Sequence, residues 1–211
     1  MTTDGWLIIA IILLLLIFLW LAKPFFYLSL PHWKGYAGEK FVINTLNDWA
    51  YDNNLQAKAR FYKTRLNQRQ KIDLLLKIRT SQNVGIEVKS RNAENLHYFL
   101  MNHISRPHRD GSRQSSKQLY RYVKQKKILG LYAFVFVHDG YAHLHFLPHY
   151  IIEEMIRQKR MSVKVDEVIS HPNGYAWRED NKAFLNYIEI EFQNQQNFLK
   201  RFPHEIFSPN S

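Results

Sequence analysis

An uncharged run from Trp6 to Ala22, built almost entirely from Leu, Ile, Phe, Trp and Ala, is followed after Pro31 by apolar and polar residues mixed at short intervals. At about 1.5 Å per helical residue the run nearly covers a hydrocarbon core of roughly 30 Å, so it predicts a transmembrane helix. Phe25 to Leu30 extends the span or lies in the interface, and Trp6, Trp20, Phe25, Phe26 and Tyr27 flank it with rings suited to the headgroup region. Asp4 precedes the run without any Lys or Arg, and no small-x-small cleavage site follows, which disfavours a cleaved signal peptide. Lys23, Lys34 and Lys40 come after it. This asymmetry predicts a single pass through the inner (cytoplasmic) membrane, with the C-terminal domain in the cytoplasm and the lipid bilayer as one partner.

Pro31 to Gly35 reads as a short linker. From Tyr36 to Tyr51 the residues Phe41, Ile43, Leu46, Trp49 and Ala50 approximate the apolar face of a helix. Ala57 to Leu66, Gln70 to Arg79 and Val84 to Ser90 read as strands. In the second, Ile72, Leu74, Leu76 and Ile78 oppose Asp73, Leu75, Lys77 and Arg79; in the third, Val84, Ile86 and Val88 oppose Gly85, Glu87 and Lys89. Each strand therefore has an apolar face and a mostly polar one. Asn92 to Ser116, rich in His, Arg and Ser, predicts a long loop or insertion with some local helix, and a helix from Ser116 to about Leu129 follows. Leu131 to Val137 is a strand, Asp139-Gly140 a hairpin signal, Tyr141 to Leu147 its partner, and Tyr150 to Lys159 a helix. Asn173-Gly174 marks a turn, and Leu185 to Phe192 fits either a strand or a helix. The order reads as an α/β domain, αβββαβ, preceded by one transmembrane helix. Residues 1–30 form the anchor and interfacial segment, 31–147 the core, and 148–211 a C-terminal α/β extension of the same domain.

The chain has 211 residues, enough for one well-cored domain after the leader. It contains no cysteine, which excludes a disulfide scaffold and thiolate metal sites. A net charge of +11 implies a polyanionic partner, either nucleic acid or an anionic membrane surface. The excess is concentrated in residues 89–138, with ten Lys/Arg against two Asp/Glu, away from the apolar span.

The short connection between the second and third strands sets Asp73 opposite Glu87 or Lys89, and odd-with-odd pairing keeps all three on one face. Two adjacent carboxylates are unfavourable unless a cation or a proton lies between them, and hard oxygen donors suit Mg²⁺ or Mn²⁺. A metal held there binds a scissile phosphate and acidifies water, with Lys89 positioning or deprotonating that water.

Asp73, followed by Glu87-Val88-Lys89, resembles the D…(D/E)-x-K signature of the PD-(D/E)XK nuclease superfamily, over roughly residues 35 to 138. Gly38-Glu39 at the start of the first helix resembles the Gly-Glu motif of nuclease-related (NERD), Mrr-like and Holliday-junction resolvase-like members. Gln118 and Tyr122 resemble the Q-x-x-x-Y motif of RecB-like members. The resemblance implies a restriction-endonuclease-like fold, with a mixed sheet core flanked by helices, and a membrane-anchored DNA endonuclease. Asp73 and Glu87 would be its metal ligands, the Val88 carbonyl a third, and Glu39 an outer or second-metal ligand. Gln118 would orient the site, Tyr122 would meet the DNA backbone, and members that cut both strands often pair as homodimers. Ile72 stands where the superfamily name has proline, and the glycine-containing turn of the nuclease-related type is missing after Lys89.

The basic residues Arg106, Arg109, Arg113, Lys117, Arg121 and Lys124 adjoin this site and are expected to bind DNA phosphates, unless they form only a solvated face. Glu39 by itself also fits a charge complementing a helix N-terminus, and Tyr122 a core residue. His143, His145 and His149 invite a zinc reading, but no glutamate stands with them at a recognised spacing. Two rival functions share the charge pattern: a catalytically inactive, membrane-tethered DNA-binding module, and a basic protein of anionic lipid surfaces.

Overall fold

The computed structural model describes Leu13, Leu14 and residues 31–62, 72–79, 81–92, 98–100, 115–138, 141–158, 160, 162–178 and 181–202, excepting the side chains at 31–34, 91–92, 98–100, 115–118, 137–138 and 162. The elements are α1 (Pro31–Asp52), β1 (Ala57–Phe61), β2 (Leu74–Ile78), β3 (Val84–Asn92), β4 (Tyr98–Leu100), α2 (Ser115–Lys126), β5 (Leu129–His138), β6 (Tyr141–Pro148), α3 (His149–Arg157), β7 (Ser162–Lys164), α4 (Val165–Ser170), β8 (Tyr175–Ala176) and α5 (Phe184–Arg201). Apart from Leu13 and Leu14, the expected transmembrane span lies outside the described residues. No helix among the described residues is long and apolar enough to cross a membrane. The chain divides into two compact units, Met1–Ala37 and Gly38–Ser211, and the sheets belong to the second.

Six strands form a mixed sheet in the order β1-β2-β3-β5-β6-β8, and β4 pairs with β7 in a separate two-stranded sheet. Only the β3–β5 pair is parallel, with α2 lying between its strands in sequence; the other pairs are antiparallel. Successive residues of β5 explain the layering. Leu131, Ala133 and Val135 join a cluster with Val42, Leu46 and Trp49 of α1 and with Phe184 and Ile188 of α5. Tyr132, Phe134 and Phe136 join another with Leu119 and Val123 of α2, Ile152 of α3, Val163 of β7 and Val168 of α4. Helices thus cover both faces, and a central strand in that position is apolar throughout, as β5 is.

Several elements depart from the pattern read in the sequence. Pro31 to Gly35 is the first turn and more of α1 instead of a linker, since proline lacks only an N–H that a helix start leaves unused. The third strand's odd face is not solvated: Glu87 is only 7% exposed, because α2 and α3 pack over that side. Ile72 does not share a face with Leu74 and Leu76. It packs with Leu75 and Ile128, because the chain bends at Asp73 and the two-residue alternation restarts there. Within the expected loop, Tyr98–Leu100 is a short strand whose partner, Ser162–Lys164, lies far along the chain. The ambiguous Leu185 to Phe192 belongs to a long helix, α5. The Asp139-Gly140 signal lies outside the described residues, while the flanking strands pair with His138 opposite Tyr141.

Candidate active site

Asp73 is fixed from three sides. Its N–H donates to the Ile86 carbonyl at 3.2 Å, its own carbonyl accepts the Tyr62 N–H at 3.0 Å, and its carboxylate Oδ2 accepts the Val88 N–H at 2.8 Å. Regular β2–β3 pairing ends with Leu74 opposite Ile86, and just beyond it the Asp73 carboxyl lies near enough to Glu87 and Lys89 for both to shift its pKa. In an extended strand the N–H and C=O of one residue point to the same side, so the Val88 carbonyl also faces the Asp73 end of β2.

Glu87 Oε1 accepts a hydrogen bond and ion pair from Lys89 Nζ at 2.8 Å. Two positions apart on β3, these side chains share a face as well. Burial alone would lower the Lys89 pKa, but Glu87, Asp73 and Glu39 outweigh it and raise the pKa, so the amine is held as an ammonium. Burial first, and then repulsion from Glu87, pushes the Asp73 carboxyl up to about 8, against the opposing pull of Lys89 and the Val88 N–H.

Glu39 reaches the same group from α1, on the other side of the sheet. Its pKa is raised by burial and by Glu87 and drawn down by Lys89. Gly38 makes that approach possible: a Cβ there would stand 2.8 Å from Cβ and 3.0 Å from Oγ of Ser90. With no side chain at Gly38, α1 lies against β3 beside the carboxylates.

Three carboxyl groups against one ammonium leave room for a cation, and hard oxygen donors fit Mg²⁺ or Mn²⁺ in chemistry and charge. Among the described residues no group of three or more His, Cys, Asp or Glu side chains is disposed to cage a metal, and Lys89 takes up Glu87 Oε1.

Tyr122 on α2 is 4% exposed, its ring edge-on to Tyr62 with centroids 5.1 Å apart. Burial and a hydrogen bond with the Tyr62 phenol raise its pKa. Tyr62 was not singled out in the sequence, although it both pins Asp73 and holds Tyr122; its only signal is its place opposite Asp73 once β1 and β2 are aligned. Gln118 and Lys117 lie on α2 with side chains outside the described set, and Arg106, Arg109 and Arg113 fall outside it altogether. Arg121 is half-buried and Lys124 exposed on the same helix.

A family model described as a domain of unknown function (DUF4143) matches residues 34–133, a span that includes Glu39, Asp73, Glu87 and Lys89. No curated protein matches the chain. Among solved structures it is similar to Hjc, a Holliday junction resolvase from the hyperthermophilic archaeon Archaeoglobus fulgidus, with 12% identity and a TM-score of 0.36. That alignment covers 58% of this chain and 88% of the resolvase.

The histidines considered for zinc are distributed otherwise. His143 and His145 each stack with Phe136 at a centroid distance of 5.3 Å, whereas His149 is buried on α3 with Nε2 3.3 Å from a Glu153 carboxylate oxygen. Burial, and to a smaller extent His143, lowers the His145 pKa to about 4, so that ring is neutral.

Proposed function

We propose that this chain is a membrane-anchored, divalent-metal-dependent DNA endonuclease of the PD-(D/E)XK type with a restriction-endonuclease-like core. The observation that carries the reading is the convergence of Asp73, tied to the Val88 N–H, with Glu87 and with Lys89, which is bonded to Glu87. Asp73 and Glu87 would hold Mg²⁺ or Mn²⁺, with the Val88 carbonyl as a third ligand and Glu39 further out. When bound, the metal supplies a Lewis acid for the scissile phosphate and lowers the pKa of a water. Lys89, kept protonated by its carboxylate neighbours, orients that water or a phosphate oxygen as a cation rather than removing a proton. Tyr62 and Tyr122 hold the β1 side of the site, while Gln118 on α2 orients it. The basic residues from Arg106 to Lys124 bind the phosphate backbone, and Trp6 to Ala22 tethers the protein to the inner membrane with this domain in the cytoplasm.

The test is incubation of the full-length protein with supercoiled, linear and branched DNA and with RNA, with and without Mg²⁺. Mg²⁺-dependent nicking of DNA is expected, reduced about a hundredfold or more by Asp73→Ala and by Lys89→Ala. Cleavage at the wild-type rate by either variant overturns the assignment.

A second reading, a catalytically silent DNA-binding module, draws on the ion pair that occupies Glu87 and on the missing metal cage among the described residues. It predicts salt-sensitive DNA binding without cleavage, and binding that survives Glu87→Ala.

A further inference from the structure

The face that carries Glu87 and Lys89 extends across two more strands. Glu87 is in register with Tyr132 and Lys89 with Phe134 on β5; on β6, Phe134 faces His145, Phe136 faces His143 and His138 faces Tyr141. Registered side chains share a face, so Lys89, Phe134, Phe136, His145, His143 and Tyr141 stand on one side of the sheet. With strands about 4.8 Å apart and about 3.3 Å per residue, the His143 backbone lies roughly 12 Å from that of Lys89.

The layer of helices covers only part of this face. Tyr132, Phe134 and Phe136 lie beneath α2, α3 and α4, whereas His143 is exposed and Tyr141 is 73% exposed. β8 pairs with β6 only at His145 and Phe146. Phe136 fixes the exposed ring, stacking with His143 at an interplanar angle of 13° and, on its other neighbour, with His145 at 22°. His143 is therefore held as the outer member of an aromatic stack, with Tyr141 two residues further toward the hairpin end. α2, which carries Arg121, Lys124 and Lys126, packs over the same face.

The geometry points to Tyr141 and His143 as a stacking surface for the unpaired bases of a single-stranded DNA arm running from the Glu87–Lys89 site. The inference rests on the nuclease reading for the nature of the polymer. A planar ring prealigned by its neighbour offers a face to any base, but duplex bases already use both faces in their own stack, so the surface selects unpaired nucleotides. The positive charge of residues 89–138 complements the phosphates that such an arm would bring.

The experiment compares the full-length protein, in EDTA, on a duplex and on the same duplex with a single-stranded overhang carrying 2-aminopurine near the junction. For the wild type, the overhang should tighten binding and its fluorescence should be quenched. Combined Tyr141→Ala and His143→Ala should remove the quenching and about tenfold of the overhang's affinity, with duplex binding and Mg²⁺-dependent duplex nicking unchanged. Tyr141→Phe with His143→Phe, which keeps two aromatic faces, should retain both signals and guards against misfolding. If the alanine pair binds the overhang as the wild type does, or loses duplex and overhang binding equally, the stacking surface is rejected while the nuclease reading stands. A wild type that binds neither DNA in EDTA and nicks none with Mg²⁺ overturns the nuclease reading and this inference with it.

Discussion

The Asp73 carboxylate accepts the Val88 N–H at 2.8 Å, and so a side chain takes the ladder position that a β2 carbonyl would otherwise fill. Regular β2–β3 pairing stops at Leu74 opposite Ile86. The same contact fixes the carboxylate in place and turns the chain at Asp73, which explains why Ile72 crosses to the other face. It also draws the Val88 N–H and carbonyl toward the carboxylates, so one residue both shapes the strand and supplies the acid.

Gly38 is expected to control how near Glu39 can come to that group. Adding a Cβ 2.8 Å from Ser90 Cβ forces α1 away from β3, since neither backbone segment is a flexible side-chain end. Gly38→Ala should therefore cost about 1–3 kcal/mol of stability and lower nicking beyond what the lost stability explains. Adding Ser90→Gly should recover part of both losses, which a double-mutant cycle in chemical denaturation and nicking rate would measure. Purely additive effects would mean that Gly38 and Ser90 do not constrain each other.

Much of the sheet was legible in the sequence because its cues are local. The alternation in Val84 to Lys89 and the short break before it pointed to antiparallel pairing of β2 with β3, which is what the strands adopt from Leu74 to Leu76. The apolar run from Leu131 to Val137 marked a strand, and the sheet order places it between β3 and β6. What was not legible depends on partners distant in the chain. The burial of Glu87 requires helices that pack over an otherwise polar face, and the strand at Tyr98 exists through pairing with Val163. Tyr122 resembled a DNA-contacting tyrosine, but its phenol is bonded to Tyr62, whose position follows only from the β1–β2 alignment.

Gln195 joins the C-terminal helix to the sheet by imitating a strand neighbour. Its buried side-chain amide accepts the Gly130 N–H at 2.9 Å and donates to the Ile128 carbonyl at 2.8 Å. Replacement by leucine keeps the bulk and strands both backbone groups, each of which costs about 1–3 kcal/mol when left buried without a partner. Gln195→Leu should lower stability by roughly 2–4 kcal/mol in urea denaturation, and Gln195→Glu should lower it less at a pH where the new carboxyl is protonated. A loss below about 0.5 kcal/mol, the usual limit for surface substitutions, would show that the two bonds contribute little.

The proposed metal role of Asp73 makes its acidity testable through both stability and proton release. Its carboxyl titrates near 8 in the folded chain against 3.8 as the ordinary value, so the folded state retains a proton that the unfolded state releases. Below pH about 4 both states are protonated and the group costs nothing; as pH rises from about 4 through 8 its contribution becomes progressively unfavourable, and above that it is constant. The melting temperature without metal should therefore fall over this window, and less steeply in Asp73→Asn. A metal that needs the carboxylate must displace the same proton. Calorimetry in buffers of different ionisation enthalpy should detect about one proton released per Mg²⁺ bound at pH 6 and almost none above pH 9. The release at pH 6 should disappear in Asp73→Asn, even if the variant retains weak binding through Glu87. Release that is the same at both pH values, or unchanged in the variant, would remove Asp73 from the metal site and leave its hydrogen bond to Val88 as its whole role.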